Sequence, residues 1–343
     1  MQGAFAAEEV ELALRQVSMP LEALRYDVTP LGLHYTLSHF DIPALEPSRY
    51  RLAVGERQWT LEELQALPQR TIRVTMECAG NGRAGFTPRY PSMPWTHGGV
   101  STAEWTGVSL EHLLDGRVGR GVNEIAFFGA DRGFDSGVEH AFGRSLPLQE
   151  AMRDDVLVAW AMNGQPLAPQ HGAPLRLVVP GWFGMASVKW LARIEFLDRA
   201  FEGYQQKTGY RYKKREGEDG TPVRHMKVKS LIAPPGIPDW YTGRRLVEAG
   251  RVAIEGRAWA GAGLAVSSVQ FGVDGEWRDA DVEKQDGPFA WQRWRCEWDA
   301  KPGEHELACR ATDAEGAMQP DGPDWNIGGM GNNALHRMAV SVR

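Results

Sequence analysis

A chain of 343 residues with 43% hydrophobic and 24% charged residues is an ordinary globular composition, long enough for two cores. A net charge of −6 gives no basic footprint for nucleic acid, and no apolar stretch has the length of a membrane span. Three widely spaced cysteines make neither a disulfide framework nor a CxxC zinc pattern. Met1 to Val10 has no basic start and no apolar core, so the expectation is a cytoplasmic protein without a secretory signal.

In chain order, helical patches are expected at Leu61 to Leu67 and at Leu110 to Leu114. Between them Thr71-Ile72-Arg73-Val74-Thr75-Met76 alternates apolar and polar residues, as a strand with one buried face does. It ends in Cys78-Ala79-Gly80-Asn81-Gly82-Arg83, a thiol at a strand end among glycines, with donors from Asn81 and Arg83. An electropositive loop lowers a thiol's pKa, and a thiolate is both a nucleophile and a soft metal ligand. A packed, inert thiol is an equal alternative at this stage.

Further on, Leu175, Leu177 and Val179 alternate with Arg176 and Val178, which puts Arg176 on the face opposite the leucines. An arginine in a short apolar strand needs an anionic partner. Ser187 and Lys189 stand at the entrance of a second alternating run, Val188 to Phe196. With His171 they form a donor-rich set suited to phosphate, while an internal carboxylate for Arg176 and a snorkelling Lys189 are the plainer reading.

Residues 202–222 are polar, charged and turn-rich and read as an interdomain connection. Beyond it, strands are expected at Val252 to Trp259, Val269 to Val273, Trp291 to Trp298 and His305 to Thr312, with Asp274-Gly275 as a hairpin turn. This spacing suggests an immunoglobulin-like sandwich. Cys296 and Cys309 could be neighbours on adjacent strands, but two buried thiols fit a reducing compartment better. The first part mixes strands and helices, so the whole reads as an α+β domain over 1–222 followed by an all-β domain over 223–343.

Glu77 to Arg83, Met162-Asn163-Gly164-Gln165-Pro166-Leu167, His171 to Trp182 and Val188-Lys189-Trp190-Leu191 resemble, in this order, the sulfite oxidase family of molybdopterin enzymes. Ala258 to Gly263, Gly272 to Gly275, Trp325-Asn326 and Asn332 to Arg337 resemble that family's dimerisation domain. The resemblance implies Cys78 as the molybdenum ligand. It implies His39, His171, Arg176, Ser187, Val188 and Lys189 as cofactor-binding residues, Asp131 as an acidic pterin contact with Asp135 as its rival, and Arg83 as a cation beside the metal. It also implies a homodimer, a separate electron carrier and no haem domain.

Three positions depart from the family pattern: Leu37 and Gly328 stand at expected arginines, and Trp160 at an expected tyrosine. All three are expected in the substrate pocket, with Trp160 as an apolar wall, so a site for a dianion would be weakened. The expectation is a molybdenum-dependent oxidoreductase acting by oxygen-atom transfer on a small oxyanion. The alternatives are a reductase of small S- or N-oxides, an assembly protein without a substrate site, and a thiol enzyme pairing Cys78 with His171 as base.

Overall fold

The computed structural model describes residues 10–13 and 16–343. Strands dominate throughout. The helical part of the first domain is small, with α-helices at Leu61–Gln65, Leu110–Leu114 and Leu148–Ala151. The first of these is fixed by a capping box in which Thr60 Oγ1 accepts from the Glu63 N–H and Glu63 accepts from the Thr60 N–H.

Two five-stranded sheets build the first domain. In one, the expected strand extends over Gln69–Glu77 and pairs antiparallel with Val100–Ser109, which pairs in turn with Leu157–Met162. Arg176–Val178 joins the same sheet through Leu157–Met162. The other sheet holds Glu124–Asp135, Val138–Pro147 and Leu191–Leu197. The strand expected from Val188 begins only at Leu191, because Trp190 takes a left-handed φ of +48°. That conformation is costly for a bulky residue, and the Trp190 indole N–H holds it by donating to the Pro169 carbonyl at 2.9 Å. Its effect is to release Lys189 from the sheet register.

In the second domain nine strands form one ladder around Phe271, Trp294, Leu307 and Cys309. All four expected strands are present, as Gly250–Trp259, Val266–Val273, Gln292–Ala300 and Gly303–Asp313. Cys296 and Cys309 are not on paired strands, and both are free. Cys309 is buried, but Cys296 is only half-buried, so the pair of buried thiols is corrected to one.

The two domains share apolar packing: Val223, Met226, Leu231, Trp259 and Trp291 belong to the core of the first. Residues 202–222 are not a free linker. They carry a π turn at Gln205–Gly209 and a short hairpin pairing Arg211–Tyr212 with Thr221–Pro222, and Gln205 is buried. Among the described residues no helix is long and apolar enough to cross a membrane.

Candidate active site

Cys78 follows directly on the Gln69–Glu77 strand, and its N–H donates to the Gly99 carbonyl at 2.8 Å. Its Sγ accepts from the Gly80 N–H at 3.4 Å. Gly80 lets the Arg83 guanidinium fold over the loop, since a Cβ there would lie 2.7 Å from it and displace the side chain. Arg83 is held in turn by the carbonyls of Gly328 and Gly329 from the second domain, at 3.1 and 3.2 Å. Behind the loop, Glu77 accepts from Asn81, Lys229 and the Trp259 indole at 2.9 to 3.0 Å.

Two cavities meet at Cys78. The inner one is lined by His34, Tyr35, His39, Asp131, His171, Arg176, Ser187, Lys189 and Tyr210. The outer cleft also has Leu37, His39, Cys78 and Tyr210 in its wall, and adds Arg83, Asp135, Arg211, Lys213 and Gly328. Asp131 therefore belongs to the inner cavity and its rival Asp135 to the outer cleft, where it accepts from the Gln205 amide at 3.0 Å.

The inner cavity is strongly desolvated. Burial, with Arg176 adding to it, pulls Lys189 down to about 7, and burial pulls Arg176 down to about 10. Burial likewise lowers His39 to about 4 and His171 well below the usual range. Lys189 donates to Ser38 Oγ at 2.8 Å and the Gln170 carbonyl at 2.9 Å. Arg176 donates to the His171 and Ser187 carbonyls at 3.0 and 3.1 Å and lies 4.6 Å from the Trp105 ring centroid.

Neither cation has a carboxylate hydrogen-bond partner among the described residues. The plainer reading of an ion-paired Arg176 therefore does not describe this site, while Lys189 is half-buried and held by Ser38 and Gln170. Asp131 Oδ1 is buried without a partner, and burial pushes this carboxyl up to about 6 against the pull of Lys189. A buried Arg176, a half-buried Lys189 and one open carboxylate fit a ligand that brings both an anionic group and ring N–H donors, as a pterin phosphate does. The residues present thus fit the cofactor.

Several expectations need correction. Trp160 lines neither cavity. It is the bulged residue between Ala159, opposite Gly107, and Ala161, opposite Thr106, and the bulge turns its ring into the core. Val188 is fully buried and likewise outside both cavities. Ser187 lines the inner cavity, but its hydroxyl accepts from the Val179 N–H at 3.0 Å, a bond that shapes the loop.

Burial pushes the Cys78 thiol up, outweighing Arg83 and the Gly80 N–H, and no hydrogen bond joins it to His171 among the described residues. A thiol–imidazole pair is therefore not formed. Tyr210, missed in the sequence, stands between the two cavities with its hydroxyl 2.7 Å from His39 Nε2. The spacing Tyr204, Tyr210, Tyr212 in an otherwise charged stretch was the available signal.

Residues 39–205 match the oxidoreductase molybdopterin binding domain, and residues 221–343 match the Mo-co oxidoreductase dimerisation domain. Fold and site together thus define a molybdopterin-binding oxidoreductase with a strand-built dimerisation domain. Human mitochondrial sulfite oxidase is 34% identical over 92% of this chain and 62% of its own length. An NADH nitrate reductase of Phaseolus vulgaris is 28% identical over 94% of this chain and 40% of its own. The solved sulfane dehydrogenase SoxCD of Paracoccus pantotrophus superposes with a TM-score of 0.82 at 28% identity, covering 99% of this chain and 90% of that one.

The chain belongs to the sulfite oxidase-like family of molybdopterin-dependent oxidoreductases, a family of enzymes. It spans about three fifths, 62%, of the length of the human sulfite oxidase.

Proposed function

We propose that this protein holds a molybdenum–pterin cofactor through Cys78 and oxidises a small sulfur oxyanion by two electrons, which leave to a separate carrier. The observation that carries this reading is the position of Cys78, at the junction of a desolvated, donor-rich cavity and an open cleft with its own cations. When bound, the cofactor supplies two-electron redox chemistry coupled to transfer of an oxygen atom. For a sulfite-type substrate, substrate plus water gives the oxygenated product, two protons and two electrons.

In this reading Lys189 and Arg176 neutralise the pterin phosphate, Asp131 accepts from the pterin ring, and His39 and His171 close the cavity against water. Arg83, beside Cys78, steers the oxyanion, and the Tyr210 hydroxyl, which lines the same cleft, donates to it. Arg211 and Lys213 also line the cleft, so the loss of arginines at Leu37 and Gly328 is partly offset from a segment that looked like a linker. The chain works as a homodimer through its second domain, which light scattering at micromolar protein checks.

The first test is molybdenum and pterin analysis of the wild type beside Cys78→Ser. Stoichiometric molybdenum in the wild type and its loss, or altered redox chemistry, in the mutant supports the reading. A mutant whose cofactor chemistry is unchanged sinks the ligand assignment, and molybdenum well below stoichiometry after cofactor-replete expression favours a non-catalytic assembly protein.

A second reading, reduction of small S- or N-oxides, is favoured by Leu37 and Gly328, which put apolar surface in the cleft wall. Turnover of dimethyl sulfoxide with a reduced dye, and none of sulfite with an acceptor, would select it.

A further inference from the structure

Behind the outer cleft lies a guanidinium that forms no ion pair among the described residues. Arg144, on Val138–Pro147, is 2% exposed. Its Nη1 donates to the Gln205 carbonyl at 2.7 Å, while Nε is buried without a partner. The nearby carboxylates are engaged elsewhere. Glu124 accepts from the Ser145 hydroxyl and the Phe201 N–H, and Asp135 accepts from the Gln205 side-chain amide. Burial lowers Arg144 only to about 10, so it stays charged at neutral pH. A buried charge without a partner is expensive, and its cost is offset only by what the charge acts on.

What it acts on is the Tyr210 turn. The Gln205 carbonyl that Arg144 holds also accepts the Tyr210 N–H at 3.0 Å, closing the π turn Gln205–Gly209. The guanidinium carbon lies 5.4 Å from the Tyr210 ring centroid, and the hydroxyl of that ring meets His39 Nε2 at 2.7 Å. One oxygen thus joins the cation to the turn that carries a cleft-wall tyrosine. Arg83, Arg211 and Lys213 line the cleft, and the Arg144 charge behind the Tyr210 ring adds to theirs.

We propose that Arg144 is a positioning and specificity residue: through the Gln205 carbonyl it sets Tyr210 against His39, and its unpaired charge biases the cleft toward anions. The proposal rests on the reading of the cleft as an oxyanion site. It assigns substrate choice to a residue that never touches substrate.

The test uses the holoenzyme with R144K, which keeps the charge, and R144Q, which keeps a donor for the carbonyl and drops the charge. Inorganic sulfate binding is measured calorimetrically, sulfite kcat and KM by steady-state turnover, inhibition by dimethyl sulfoxide as the neutral probe, and molybdenum content beside them.

R144Q is expected to bind sulfate about tenfold more weakly, the effect of one unit charge at a partly screened distance, with dimethyl sulfoxide unaffected. R144K keeps sulfate affinity within about threefold but loses kcat, since a point charge does not reproduce the planar fork. Sulfate binding by R144Q equal to wild type, or equal losses for sulfate and dimethyl sulfoxide, overturns the proposal. So does R144K failing to rescue sulfate affinity. Because sulfate binding is read without turnover, a wrong substrate assignment shows as absent sulfite activity and leaves this comparison standing.

Discussion

Lys229 Nζ donates to Glu77 Oε1 at 2.9 Å across the boundary between the two domains, with both side chains at most 3% exposed. The pair sits one residue from Cys78. The same ammonium also donates to the Asn332 carbonyl at 2.8 Å, and the Asn332 amide reaches the Gly82 carbonyl at 2.7 Å. The cysteine loop is therefore braced from the second domain.

K229M leaves the Glu77 carboxylate buried without its cation. The expected loss is about 3 to 5 kcal/mol, read from the urea midpoint at pH 7. The double variant E77Q/K229M should recover part of it, since no charge is then stranded. Equal midpoints for K229M and wild type would show that the pair does not brace the loop.

The inner cavity should give the cofactor-free protein a distinctive pH dependence. Lys189 falls from 10.5 to about 7 on folding, so between those values the unfolded chain holds the extra proton and stability rises with pH. Asp131 rises from 3.8 to about 6, so its contribution is full below 3.8 and is lost as pH climbs through about 6. K189M should raise stability at pH 6 by about 2 kcal/mol and flatten the slope above pH 7. It should also abolish stabilisation by inorganic phosphate, and thermal melts from pH 5 to 9 with and without phosphate read all three effects.

Tyr210→Phe should lower kcat by about a hundredfold while molybdenum content stays at the wild-type level. Loss of metal together with activity would move Tyr210 from the substrate side to the cofactor side.

Leu37→Arg restores a cation to the cleft wall and should lower KM for sulfite by about five- to tenfold, an effect that weakens in high salt. Trp160→Phe, lying in the core, should leave that KM within about twofold and cost only stability. A large KM change in Trp160→Phe would contradict the cavity boundaries.

Much of this was legible in the chain. The alternation of Ile72, Val74 and Met76 places Cys78 at a strand end, and the strands of the second domain follow from their turns. Three places were not legible, for identifiable reasons. At Trp160 a bulge inserts one residue, and with a side-chain period of two a single insertion exchanges core and cavity faces. At 202–222 charge and turn chemistry dominate locally, while the placement of Gln205 and Tyr210 depends on Arg144 and His39, 61 and 171 residues away. Strand rhythm likewise failed at Lys189, where the left-handed Trp190 breaks the register.

The outer cleft is assembled from several distant stretches, among them those around Leu37, Arg83 to Met93, Tyr204 to Gly217 and Ile327 to Met330. The inner cavity draws on the third of these only through Tyr210 and on the last not at all. In the proposed reading, cofactor and substrate are thus held by largely separate passages of chain, which share Leu37, His39, Cys78 and Tyr210. Drift or design within 204–217 that spares Tyr210 would change the protein's diet while leaving untouched the machinery that digests it.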